Sequence, residues 1–121
     1  MKWYEAFRDR RIRGLHNCGD TTRLLEIIDE LGLTSFEMGE KTDLIKAKSV
    51  LRKTKINQLF DLRILLTGSL DDIMSHTRNL ITLGSQGNNF GIGIEGWKGI
   101  SFEKVRLIKG LVRKHNEGKA S

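Results

Sequence analysis

Cationic side chains are the groups whose type and spacing point most directly to chemistry in this 121-residue chain. Lysines and arginines number 21 against 15 carboxylates, a formal charge of +6 with a pI near 9.7. That balance favours polyanionic partners. The charge is also segregated. Residues 41–55 hold six cations and one carboxylate, with Lys46, Lys48, Arg52, Lys53 and Lys55 among them. Lys48, Arg52 and Lys55 recur at i, i+4 and i+7, the spacing of one helix face. Arg106, Lys109, Arg113 and Lys114 make a second basic stripe near the C-terminal end.

An ammonium or guanidinium that meets a phosphate displaces a condensed counterion, so such stripes suit a nucleic-acid backbone. The expectation is a small, basic, non-enzymatic nucleic-acid-binding protein, a regulator of DNA or RNA, touching phosphates through those nine side chains. The alternative is a protein-interaction adaptor or inhibitor that docks on an acidic protein partner, with Trp97, set among glycines, as its anchor. The stretch from Leu24 to Lys41 has the outline of a helix-turn-helix. Residues 19–40, however, carry six carboxylates against one arginine, which phosphate would repel.

Groups that do covalent or metal chemistry look dispersed. His16, His76 and His115 stand in no recognisable pattern with a carboxylate or nucleophile, and Cys18 is the only cysteine. No enzyme activity, cofactor or metal is therefore expected. The run Gly91-Ile92-Gly93-Ile94-Glu95-Gly96 matches a G-x-G-x-x-G string, but it lacks the following strand and acidic residue that a dinucleotide site needs. Its glycines read instead as places of close backbone approach.

With no proline in the chain, Gly, Asn, Asp, Ser and Thr must mark the element boundaries. The apolar spacing predicts an amphipathic helix over 2–17 through Trp3, Phe7 and Leu15, with Tyr4 and Ile12 alongside. Asp20 or Thr21 caps the next helix, whose face is Leu24, Leu25, Ile27, Ile28 and Leu31 and whose stop is Gly32. Thr34-Ser35-Phe36-Glu37 has capping-box spacing for a further short helix. Residues 41–67 read as one bent helix or two, and Ser69 caps another that runs to Gly84. The segment 80–83 is either the end of that helix or a strand. Phe90–Glu95 alternates as a strand, and a β-hairpin pairing it with 80–83 follows. Ser101 caps a final amphipathic helix whose buried arc is Val105, Ile108, Leu111 and Val112.

Together these elements predict a single α+β domain over 1–121, predominantly α-helical, with a short β-hairpin near residues 80–95 and a C-terminal amphipathic helix. Without an apolar run of membrane-spanning length or a secretory pattern, and with one unpaired cysteine, the expected location is cytoplasmic and no membrane partner is expected. A homo-oligomer remains open.

Overall fold

The computed structural model describes residues 13–87, 89–95 and 99–120, with side chains described as far as 118. The expected helix over 2–17 lies largely outside these residues. Its described end is a strand.

Four strands form one parallel sheet in chain order: β1 Gly14–Asn17, β2 Ser35–Met38, β3 Lys55–Leu59 and β4 Phe90–Gly93. A 3-10 turn at Thr22–Leu24 leads into helix α1, Leu25–Glu30, after β1. Helix α2, Leu44–Val50, follows β2; α3, Leu62–Thr67, and α4, Leu70–Gly84, follow β3; α5, Phe102–Ala120, follows β4. This is an α/β fold, and the expectation of a predominantly helical domain with a short hairpin is corrected. Residues 80–83 complete α4, while β4 pairs in parallel with β3, Ile56 opposite Phe90 and Leu59 opposite Gly93.

The physical reason for the correction lies in how short the strands are. Each spans four or five residues, too few for alternation to stand out against the helical spacing on either side. At Ser35–Met38 the inward residues are Phe36 and Met38, both fully buried, and the outward ones are Ser35 and Glu37. The capping-box spacing at Thr34 has another purpose. The Thr34 hydroxyl donates to the Arg13 carbonyl at 2.9 Å and accepts from the Arg13 N–H at 2.8 Å, joining two strand starts. The Thr54 hydroxyl makes the corresponding bond to the Leu33 carbonyl, 3.0 Å, one unit on. Thr21 and Thr42 share a buried hydroxyl–hydroxyl bond of 2.9 Å at the opposite strand ends. Each pair is separated by 21 residues, so a strand–helix unit recurs at about that interval.

Strand and helix signals then follow one another within each unit. Asp43 and Asp61 cap α2 and α3 by accepting from Lys46 N–H and Arg63 N–H. Ser69 caps α4, as the sequence leads one to expect, and with Asp72 it forms a complete capping box. One side of the sheet meets the helices in a single core that includes Phe36, Met38, Ile56, Leu25, Leu65 and Ile73. Gly84 is buried where a Cβ would run into the Phe90 ring, which explains a glycine in the last turn of α4. Helix α5 packs against α4, and Lys104 on it donates to the Leu65 carbonyl at 2.8 Å. Among the described residues, no helix is long and apolar enough to cross a membrane.

Candidate metal centre

The side of the sheet turned away from the core carries the chemistry. Residues two apart on a strand face the same way, so His16 and Cys18, at the end of β1 and just beyond it, reach the same space. His16 is paired in register with Glu37 on β2, Glu37 with Asn57 on β3, and Asn57 with Gly91 on β4. The row therefore runs imidazole, carboxylate, amide, bare backbone.

The bare end of the row is essential to the geometry. A Cβ on Gly91 would collide with the Asn57 side-chain oxygen, and one on Gly93 would lie 3.1 Å from Leu59 Cδ2 and 3.7 Å from Glu37 Oε2. With those positions clear, Glu95, just past β4, comes within reach of β1. Its Oε1 lies 3.5 Å from His16 Nε2 and its Oε2 3.4 Å from Cys18 Sγ. Cys18 Sγ is 2.9 Å from His16 Nε2. On the other side of the ring, Glu37 Oε1 lies 2.5 Å from His16 Nδ1. In a flat sheet β1 and β4 would stand about 14 Å apart, three strand spacings. The contacts between them make this face concave.

Gly39 supports the cysteine from behind. A Cβ there would overlap the Cys18 carbonyl, and the Gly39 N–H donates to the Asn17 carbonyl at 3.1 Å. Buried Gln58 holds the Gly39 carbonyl through Nε2 at 2.8 Å. The Asn17 side chain accepts from Gly19 N–H at 2.9 Å and tightens the turn after Cys18.

His16, Cys18 and Glu95 offer an imidazole nitrogen, a sulfur and a carboxylate oxygen that all lie within 4.8 Å of one another. Around a tetrahedral zinc-class ion, ordinary Zn–N, Zn–O and Zn–S lengths imply ligand–ligand separations of about 3.3–3.6 Å. Here Glu95 meets His16 Nε2 through Oε1 at 3.5 Å and Cys18 Sγ through Oε2 at 3.4 Å, so closing on one ion needs a turn of the carboxylate as well as a small outward shift of the thiol from its 2.9 Å contact with Nε2. Glu37 on Nδ1 is the outer-shell carboxylate that commonly fixes a metal-binding histidine, directing the Nε2 lone pair to the ligand side.

Cys18, His16 and Glu37 also have the order of a nucleophile, base and orienting acid. Electrostatics speak against that use. Partial desolvation, the hydrogen bond and charge of Glu95, and the charges of Glu37 and Glu40 together push the Cys18 thiol above its ordinary value. A self-activated nucleophilic thiol needs electropositive surroundings instead. A cation reverses the balance, because it is attracted by the same carboxylates and takes the sulfur as thiolate.

The basic residues singled out from the sequence lie elsewhere. Lys48, Arg52 and Lys55 do not share a helix face, since α2 ends at Val50 and Lys55 opens β3. Lys46 Nζ donates to the Thr22 carbonyl at 3.2 Å and lies 3.5 Å from Glu26. Arg52 Nε donates to the Ser49 carbonyl at 3.3 Å, and Lys53 and Lys55 are exposed. Arg106 lies over the Phe102 ring at 5.3 Å, with Lys109 and Arg113 beside it along a groove and Lys114 exposed. Lys48 stands near the start of β4. Lys48 Nζ is 6.0 Å from the Phe90 ring, and Phe90 shares a pocket with Val112 and His115. Trp97 lies outside the described residues.

Sequence reading missed His16, Cys18 and Glu95 as a group. The His-x-Cys spacing was visible, but it has meaning only once residues 14–17 are a strand, and Glu95 is 77 residues from Cys18. No family model, curated protein or solved structure matches this chain, so its function is read from this geometry alone.

Proposed function

We propose that the protein binds a zinc-class divalent ion through His16 Nε2, the Cys18 thiolate and a Glu95 carboxylate oxygen. The ion acts as a Lewis acid at the C-terminal ends of the parallel strands, where sites in parallel α/β folds usually lie. The observation that carries this is the convergence of three different donor types from opposite edges of the sheet within 4.8 Å. Three protein ligands leave a fourth position for an exogenous group, the pattern of catalytic rather than structural zinc. Held by His16, Cys18 and Glu95, such an ion would supply Lewis-acid chemistry, favouring the deprotonated form of a water or thiol at neutral pH.

The chain's own residues have definite parts. Cys18 gives up its proton on binding, and its charge with that of Glu95 offsets the dication. Glu37 holds the His16 ring in the tautomer whose Nε2 is free to ligate. Asn57, next in the row, offers an amide to whatever occupies the concavity.

Zinc titration of the purified chain, followed by competition with a chromogenic chelator, tests the reading. One ion per chain is expected, and zinc should protect Cys18 from alkylation by iodoacetamide. His16→Ala and Cys18→Ser should each weaken binding by at least about a hundredfold. Binding unchanged in both variants would sink the proposal.

The expected nucleic-acid role stands as a second reading. It is favoured by Lys48 lying near Phe90, which shares a pocket with His115, two residues beyond Arg113. Binding to duplex DNA or RNA that falls steeply with salt, and is lost in Lys48→Glu with Arg113→Glu, would support it. The absence of binding at low ionic strength would end it.

A further inference from the structure

We propose that a second copy of this chain closes the sheet into an eight-stranded parallel barrel, β4 of each copy pairing with β1 of the other. The strands run strictly in chain order, all parallel, with one face turned to the helices. Among the described residues such a singly wound sheet ends at β1 and β4, and the outer backbone groups of an edge strand are templates for further pairing. The contacts of His16 and Cys18 with Glu95 join the C-terminal ends of the two edge strands across one face of the sheet. Four parallel strands in chain order, with helices on one face, correspond to half of an eight-stranded β/α barrel. A two-fold axis along the barrel keeps every strand parallel and closes the ring with two equal contacts.

The two edges are chemically matched. Beyond β4, helix α5 overhangs a groove of about 1080 Å³. Ile92 and Ile94 line its strand side, Val105 and Val112 its helix side, and Arg106 and Arg113 its rim. In a closed ring the neighbour of α5 is α1 of the other copy. At 100° per residue, Leu24, Ile27 and Leu31 form the flank of α1 turned away from Glu26, which pairs with α2 through Lys46. Leu24 is 47% and Ile27 58% exposed, and Phe102 at the start of α5 is 76% exposed. Each edge thus leaves large apolar side chains exposed, Leu24 and Ile27 at one and Phe102 at the other. Their charges are opposite as well: α1 carries Glu26, Asp29 and Glu30 and no cation, while Arg106, Lys109 and Arg113 of α5 line the groove. Closure also places the second copy's concave face opposite the His16–Glu37 row and encloses it.

The inference rests on the fold and not on the metal reading, and the two can fail separately. Light scattering of the purified full chain at about 50 µM should return twice the 13.8 kDa chain mass. Arg106→Glu with Arg113→Glu should halve that mass, and so should Ile27→Lys with Glu30→Lys, with circular dichroism unchanged in both. Mixing these two variants should restore the dimer, because each contact then joins complementary charges or two native surfaces. Zinc titration of the monomeric variants reads the metal site independently. A monomeric native chain, a dimer that survives both pairs of changes, or a mixture that stays monomeric would each overturn the proposal.

Discussion

The two sides of the sheet differ in what their side chains are selected to do. On the helix side Phe36, Met38 and Ile56 are almost completely removed from water, and the buried Thr54 hydroxyl donates to the Leu33 carbonyl. On the concave side His16, Glu37 and Glu95 keep roughly half of their side-chain surface exposed, and Gly91 and Gly93 supply no side chain at all. Apolar burial stabilises the first side, while the second gathers an imidazole, two carboxylates and a thiol that remain open to solvent. A strand residue's parity therefore decides whether it serves stability or chemistry.

Substitutions should separate the two sides. The largest effect is expected for Phe36→Ala, which empties a fully buried site and should cost about 3–5 kcal/mol in a denaturant titration. Metal affinity measured well below the unfolding midpoint should stay near native. Gly39→Ala should affect both sides, because its Cβ meets the Cys18 carbonyl. A loss of about 1–3 kcal/mol together with weaker zinc binding is expected, and a variant that is native in both would separate Gly39 from the site. Glu37→Gln acts only on the concave side. Zinc affinity should fall by about 10–100-fold, with the thermal midpoint of the metal-free protein little changed. Ser69→Ala removes the cap of α4 and should cost about 1 kcal/mol, far from the site and without effect on metal.

The smallest expected effect concerns pH on the helix side. His76 packs edge-on against Phe60 at 4.5 Å between ring centroids, and burial lowers its pKa, against the opposing charge of Asp61. The unfolded chain then takes up the proton more readily than the native one. Stability should therefore decline as pH falls below about 6.5, the ordinary imidazole value, toward the lowered native one. His76→Leu should flatten that part of the stability profile. An identical slope in the variant would remove His76 as its cause.

Much of the helical layer is legible in the residues themselves. Ser69 and Asp72 announce α4, Ser101 the start of α5, and Ile108 is buried as its periodicity requires. The strands are harder to read, because four-residue segments such as Ser35–Met38 lie inside longer runs that also fit helical spacing. The clue that was available is the recurrence of Thr34 and Thr54 before strands and of Asp43 and Asp61 before helices, a repeat of about one strand–helix unit. The basic stripe through Lys48, Arg52 and Lys55 dissolves for the same reason. Its spacing needed a helix that β3 interrupts.

Local chemistry, then, is what the sequence determined by itself: the caps, the amphipathic faces of α4 and α5, the alternation at Phe90–Gly93 and the segregation of charge. These depend on neighbours within a few positions, which the chain order already supplies. Tertiary structure alone decided that His16 stands opposite Glu37 and that Glu95 meets Cys18. Strand register and sheet curvature bring those groups together. Both follow from burying Phe36, Met38 and Ile56 under the helices, a condition on the whole chain that no short stretch of it contains.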